Sequence, residues 1–197
     1  MKLFILYMQL IFGIALSFYA FSSQAQDSLT ERTAAASYFQ NIRDNFAKPK
    51  DFSGTWISSS EREKLLKTYS EEKPNTFIDG AKDWLKKCPV DAKVHLMLAS
   101  LLIRTGDYPG GVYHRSMFYG LLSSILVSGD GKTPKTAFRV ISSDEEYTVM
   151  NFIGAKIKNQ KLDGMHDVMD VEIDGKTSII YFDVSIGLEA LGRKLKQ

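Results

Sequence analysis

Apolar residues recur at helical spacing through the first half of the chain, from residue 26 to residue 127. Ser28 and Glu31 form a capping-box pattern at the start of this region, and prolines and glycines interrupt the spacing further along. The pattern therefore predicts five helices: one after Ser28, a short one opening at Ser58 or Ser60, and helices near Phe77–Lys87, Ala92–Arg104 and Pro109–Val127.

After Ser128-Gly129-Asp130-Gly131, short runs alternate apolar and polar residues. Two of these runs, His166–Ile173 and Thr177–Ile186, flank Asp174-Gly175, a dipeptide that favours a two-residue hairpin turn. The other predicted elements are a strand at 136–141, a helix opened by the capping box Ser143 and Glu146, a strand at 155–162 and a last helix at 187–196. We therefore expect an α+β protein: N-terminal helices on a small, mainly antiparallel sheet with one or two helices, with regions 26–127 and 128–197 forming one globular unit.

The predicted hairpin turn also fixes which residues lie opposite each other on its two strands. A two-residue turn at Asp174-Gly175 places His166 opposite Asp183 and Val168 opposite Tyr181. His166 and Asp183, with Asp167 beside them, could form an acid–base or metal-binding cluster. Acidic positions that alternate with apolar ones are also typical of a solvated sheet face, and we favour this interpretation.

The helices near Ala92–Arg104 and Pro109–Val127 resemble a single tetratricopeptide repeat. In this resemblance Ala99 and Gly111 hold the small positions at which the two helices pack closely. His95 and His114 could face each other across the pair, but two histidines are an incomplete zinc site, so we expect hydrogen-bonded, partly buried side chains.

The first residues have the composition of a cleaved export signal. Lys2 precedes an apolar run from Leu3 to Phe21, and Ser23-Gln24-Ala25 offers small residues before a cleavage site. Residues 1–25 are therefore predicted to be a signal peptide, and the protein to be periplasmic or secreted. The alternative is a membrane anchor, since the run approaches the roughly 20 residues that span a bilayer.

Charge and cysteine content exclude some classes of function. Lys and Arg number 25 against 23 Asp and Glu, so no field of one sign is expected, and nucleic acid is not an expected partner. Cys88 is the single cysteine, which rules out an intramolecular disulfide. Its place at the end of an apolar helical stripe favours a buried thiol over a nucleophile.

Several motifs that would indicate specific chemistry are incomplete. Gly131-Lys132-Thr133 has the end of a phosphate-binding loop, but Leu126 stands where the first glycine is required, so a turn is expected. Asp130 alone does not make a calcium loop, and no serine lies in a Gly-x-Ser-x-Gly elbow. We therefore predict no cofactor and no metal.

The order of several short motifs in residues 75–185 resembles a family of exported proteins of unknown function from the Bacteroides group and its relatives. These motifs include the His95–Leu98–Ala99 helix, Gly120–Ile125, Ser128–Gly131, Thr136–Phe138, Val140-Ile141, Glu145-Glu146-Tyr147 and Tyr181–Val184. The resemblance implies that the loop at 128–134 and the hairpin form one unit with the preceding helices. It implies no catalytic residue.

We predict a non-enzymatic exported module that binds an unknown protein or a small ligand. Tyr108, Tyr113 and Tyr119 are the predicted contact surface, and membrane contact is expected only through an uncleaved leader. The alternative is a hydrolase or metal-dependent enzyme centred on His166, Asp167 and Asp183. An enzyme requires these three side chains to converge in a cleft, whereas a binding module leaves them spread over an open sheet face.

Overall fold

The computed structural model describes residues 34–50, 52, 59–194 and 196. The predicted signal peptide and the capping box of Ser28 and Glu31 lie outside these residues. The described helices are α1 (34–47), α2 (Ser60–Lys67), α3 (Pro74–Lys87), α4 (Ala92–Arg104), α5 (Tyr108–Leu126), α6 (Ser143–Phe152) and α7 (Ser185–Lys194). The described strands are β1 (Phe138–Arg139), β2 (Lys156–Asp163), β3 (His166–Ile173) and β4 (Lys176–Asp183).

The four strands form one mixed sheet in the order β1-β4-β3-β2, so the predicted α+β class is confirmed. β1 runs parallel to β4, and the other neighbouring strands are antiparallel. Asp174 and Gly175 both have positive φ angles, 50° and 76°, as a tight hairpin turn requires. The predicted register is confirmed, because His166 lies opposite Asp183 and Val168 opposite Tyr181.

Local capping explains where the structure departs from the predicted element bounds. Ser59, and neither Ser58 nor Ser60, is the N-cap of α2, and its side chain accepts a hydrogen bond from the Arg62 backbone N–H. Helix α3 begins at Pro74, earlier than predicted, because proline suits the first helical turn. The predicted strand at 136–141 is reduced to two residues, since Pro134–Thr136 forms a 3-10 turn.

Buried side chains from the helices and the sheet form one hydrophobic cluster. Phe77, Leu98 and Leu121 of the helices belong to it together with Phe182 of β4. Cys88 belongs to the same cluster and is 2% exposed, as predicted for a core thiol. Burial, with a smaller effect of the Asp91 charge, raises the pKa of this thiol well above its usual range, which makes it a poor nucleophile.

Helices α4 and α5 approach closely at the two small residues that the sequence singled out. A Cβ atom at Gly111 would lie 3.2 Å from the Ala99 carbonyl oxygen and 2.5 Å from Ile103 Cγ1. A larger side chain at position 111 would therefore push the helices apart. Within the described ranges, no helix is both long enough and apolar enough to cross a membrane.

Candidate functional site

Helix α6 begins with three consecutive acidic residues, Asp144, Glu145 and Glu146, and all three are buried. Their exposed fractions are 7%, 3% and 2%. A carboxylate that leaves water loses its hydration, so each of these groups needs a cation, hydrogen-bond donors or a proton. The three side chains meet this requirement in different ways.

Buried arginines compensate the first two carboxylates. The Arg43 guanidinium donates from Nε to Glu145 Oε1 at 2.7 Å and from Nη2 to Glu145 Oε2 at 2.6 Å. Arg62 Nη2 donates to Asp144 Oδ1 at 3.1 Å, and its Nε donates to Asp91 Oδ2 at 2.6 Å. These buried ion pairs join the N-terminal helices to the start of α6.

The third carboxylate, that of Glu146, faces another carboxylate, Asp167 of β3. Among the described residues, no N–H group or hydroxyl donates to Glu146 Oε2 or Asp167 Oδ1, although both atoms are buried, so the two carboxyl groups have only each other. Burial raises the pKa of Glu146 to about 9, and the hydrogen bond to Asp167 and the charge of that residue raise it further in the same direction. Glu146 is therefore protonated at neutral pH and donates its proton to Asp167.

Asp167 is held in place from the neighbouring strand. Its Oδ2 accepts a hydrogen bond from Gln160 Nε2 of β2, and Gln160 Oε1 accepts one from the Tyr147 hydroxyl at 2.8 Å. Asp167 also shares the core-facing side of β3 with Met169 and Val171, since alternate residues of a strand point to the same face. The carboxyl pair is thus fixed between α6 and the sheet.

The carboxyl pair lies in the wall of a cavity of about 290 Å³ between α6, the sheet and α7. Ser142 also lines this cavity, and in the described part of the chain its buried Oγ has no hydrogen-bond partner. The remaining lining is mostly apolar and comprises Val140, Ile141, Ser143, Leu162, Val184, Gly187, Leu188 and Leu191. An apolar cavity with a few polar groups is the usual form of a small-molecule site.

The capping box predicted at Ser143 and Glu146 is wrong. Ser142 is the N-cap of α6, and it makes no side-chain capping bond. Glu145, three residues after this N-cap, folds back toward the helix start, where its Oε2 accepts a hydrogen bond from the Ile141 backbone N–H at 2.9 Å. Glu146 is consequently free to turn toward β3.

The three residues of the predicted enzymatic cluster do not converge. Asp167 points toward the core, whereas His166 and Asp183 alternate with it and with Phe182, and so lie on the opposite face of the sheet. Asp183 Oδ1 accepts a hydrogen bond from the Ser185 backbone N–H at 3.0 Å, at the start of α7. The structure therefore brings Asp167 into the cavity without the other two.

The three tyrosines of the predicted contact surface are all on α5 and are all exposed, by 64%, 58% and 45% for Tyr108, Tyr113 and Tyr119. On an ideal helix Tyr113 lies about 140° around the axis from Tyr108, so the three rings do not share one face. Tyr119 lines a separate groove between α4, α5 and α6, while the Tyr113 ring packs edge-on against His114. A contact role for these rings stays a prediction.

His95 and His114 face each other across α4 and α5, as predicted, with 2.8 Å between their Nδ1 atoms. His95 Nε2 lies 3.1 Å from the Pro89 carbonyl oxygen and donates to it, so Nδ1 of the neutral ring accepts from His114. Burial lowers the pKa of His95 to about 4, which keeps this ring neutral. Residues 34–50, 52, 59–194 and 196 contain no group of three or more His, Cys, Asp or Glu side chains that could hold a metal ion.

Glu146 is the site residue that sequence reasoning missed. A usable signal was present, because Glu146 precedes the buried Val149 and Met150 by three and four residues and so lies on the apolar stripe of α6. A glutamate on a buried stripe needs a partner, and the partner is Asp167.

Fold and site together define a small α+β protein in which helices and a mixed sheet line a mainly apolar cavity, half open to solvent, whose wall holds the Glu146–Asp167 carboxyl pair. The chain belongs to the family described as a domain of unknown function, DUF4919, whose model matches residues 23–193. No curated protein and no solved structure matches the chain.

Proposed function

We propose that this protein is an exported, non-enzymatic module that binds a small ligand in the cavity between α6, α7 and the sheet. The observation that carries the proposal is the combination of apolar walls with buried polar atoms: in the described residues Ser142 Oγ has no hydrogen-bond partner, and the carboxyl groups of Glu146 and Asp167 have only each other. Buried polar groups are normally fully hydrogen-bonded, so Ser142 Oγ and the carboxyl pair are available to the polar group of a ligand.

The periplasmic or secreted location belongs to the proposal and is supported by the leader pattern of residues 1–25. The resemblance of α4 and α5 to a tetratricopeptide unit is supported by the close approach at Ala99 and Gly111. We do not propose the hydrolase, since His166 and Asp183 lie on the other face of the sheet from Asp167.

The proposed function is tested with a neutral apolar probe, 2-phenylethanol, titrated into the purified mature chain and followed by ligand-observed and amide NMR. We expect weak binding, with shifts at the cavity-lining residues. Filling the cavity should abolish it, and Gly187 provides the position: it lines the cavity, lies in α7, and a Cβ there meets nothing nearer than the Ile141 carbonyl oxygen at 3.8 Å. Gly187→Leu should therefore block the probe without disturbing existing contacts.

Gly192→Leu is the matched control, because Gly192 lies in the same helix, outside the cavity lining, with open space around its Cβ position. Binding that persists in this variant and disappears in Gly187→Leu supports the proposal. The proposal fails if the wild-type chain does not bind the probe, or if both variants bind it equally well.

A further inference from the structure

The three acidic residues at the start of α6 differ in whether a cation lies beside them. Asp144 and Glu145 each have an arginine from the N-terminal helices, at 3.1 Å and 2.6 Å. Glu146 is more deeply buried than either, yet among the residues that the structure describes no Lys, Arg or His lines its cavity. Of the three acidic residues, Glu146 is therefore the one for which no described residue of a neighbouring helix or of the cavity wall supplies a cation.

The buried oxygen atoms of the cavity determine which hydrogen-bond donors a ligand must bring. Glu146 is 2% exposed and Ser142 is 6% exposed, and both line the same cavity. Among the described residues, Ser142 Oγ has no hydrogen-bond partner, and no N–H group or hydroxyl donates to Glu146 Oε2. Asp167 Oδ1 adds a third buried acceptor. An ammonium group has three N–H donors and no acceptor, whereas a hydroxyl has one donor.

The walls and the volume limit the rest of the ligand. The apolar side chains Val140, Ile141, Val184 and Leu188 face the cavity beyond the carboxyl pair. A volume of about 290 Å³ corresponds to about ten heavy atoms, taking roughly 30 Å³ for each. An anionic ligand is disfavoured by repulsion from Asp167, and a long charged chain by the apolar walls.

We propose that the ligand is a small hydrophobic amine whose ammonium group binds between Glu146 and Asp167 while its apolar body fills the cavity. The inference rests on the proposed ligand-binding function and assigns its ligand class. Ser142 Oγ accepts the remaining N–H of the ammonium group. Glu146 and Asp167 are the recognition residues.

Binding an ammonium group displaces the proton that the carboxyl pair shares. In the empty site Glu146 carries this proton and Asp167 carries the negative charge; in the occupied site both are carboxylates and the proton passes to solvent. The charged or titratable groups around Glu146 are Asp167 from β3 and Glu145 from its own helix, and α7 presents apolar residues and Gly187 to the cavity. Uptake of the amine is therefore coupled to release of up to about one proton.

The experiment compares two probes of equal size, 2-phenylethylamine and 2-phenylethanol, by isothermal titration of the mature chain at pH 7.5. We expect the amine to bind at least about tenfold more tightly, because charge-assisted hydrogen bonds are about twice as strong as neutral ones. Titrations in phosphate and in Tris, whose ionisation enthalpies differ, should show release of up to about one proton with the amine and none with the alcohol.

The double variant Glu146→Gln and Asp167→Asn keeps the shape and hydrogen bonding of the pair and removes its charge and its shared proton. We expect it to lose the preference for the amine and to bind the two probes with equal affinity. The inference is overturned if the wild-type chain binds both probes equally, if the amine releases no proton, or if the double variant keeps the preference. Failure of the alcohol to bind the wild-type chain refutes the proposed function itself, so the two failures are distinguishable.

Discussion

Replacing Glu146 with glutamine should stabilise the protein at neutral pH. Glutamine keeps the size of the side chain, and its amide N–H can donate to Asp167 in place of the shared proton. The wild-type chain has to take up that proton when it folds. The pKa of Glu146 rises from 4.5 to about 9 in the folded protein, mainly through burial and secondly through Asp167.

The magnitude follows from the two pKa values. The stability that the neutral Glu146 confers is complete below pH 4.5 and is lost progressively as the pH rises to about 9. At pH 7, about 2.5 pH units above the pKa of the unfolded glutamate, the chain has to bind a proton in order to fold. This proton uptake costs the folded state about 3 kcal/mol. Glutamine avoids this cost but leaves one buried amide hydrogen unpaired, at about 1 kcal/mol, so we expect a net gain of about 2 kcal/mol.

The assay is urea unfolding followed by tryptophan fluorescence at pH 4.5, 6, 7 and 8.5. Trp84 is 5% exposed and reports on loss of the core. We expect the difference in free energy of unfolding between Glu146→Gln and wild type to be slightly negative at pH 4.5 and to grow in favour of the variant as the pH rises. Glu189→Gln, on the exposed side of α7, controls for the removal of one carboxylate at the surface.

A difference that does not change with pH would refute this reasoning, because it would mean that Glu146 is ionised in the folded protein. A variant that is less stable than wild type at every pH would refute it as well. In either case the carboxyl pair would not share a proton.

Three other substitutions or titrations test the remaining parts of the structure. Arg43→Ala should lower the free energy of unfolding by about 3–5 kcal/mol in urea, because it leaves the buried Glu145 without its cation. Burial lowers the pKa of His95 from 6.5 to about 4. The free energy of unfolding contributed by the neutral ring is therefore complete above pH 6.5 and falls by about 3 kcal/mol as the pH drops to 4. An NMR titration in which the His95 ring protonates near pH 6.5 would contradict this prediction. Gly131→Ala should be clearly more destabilising in thermal unfolding than Gly164→Ala. Both glycines have a positive φ, so alanine strains the backbone at either position. Of these two positions, a Cβ atom would meet a ring only at Gly131, where it would lie 2.5 Å from the Phe138 ring.

Elements with strong local signals were predictable from the sequence. Helix α4 has the predicted bounds, because Asp91 accepts a hydrogen bond from the Val94 backbone N–H at its start and Gly106, with a φ of 90°, follows its end. The register of β3 and β4 was predictable for a similar reason. A two-residue Asp174-Gly175 turn leaves one pairing, and alternation then places Met169 and Phe182 toward the core.

The candidate site was not predictable from local pattern, because its contacts are distant in sequence. Arg43 and Glu145 are 102 positions apart, and nothing near Glu145 indicates which arginine it meets. Glu146 stands three residues after Ser143, a spacing that fits a capping box, and only the packing of α6 on β3 gives the carboxyl a different partner. A local motif indicates which hydrogen bonds a side chain can make near its own helix end. Tertiary contacts determine which of these bonds forms.

The position of the carboxyl pair argues that it serves binding rather than stability. A buried acid that must be protonated on folding is destabilising at neutral pH, whereas the neighbouring Glu145 and Asp144 are held by arginines. If the pair had only to fill space, an apolar or amide side chain at position 146 would serve better. The pair instead lines a cavity together with Ser142, whose Oγ has no hydrogen-bond partner among the described residues. Burial and neighbouring charges shift titratable groups most strongly at functional sites, and such sites commonly cost the fold stability, as this carboxyl pair does.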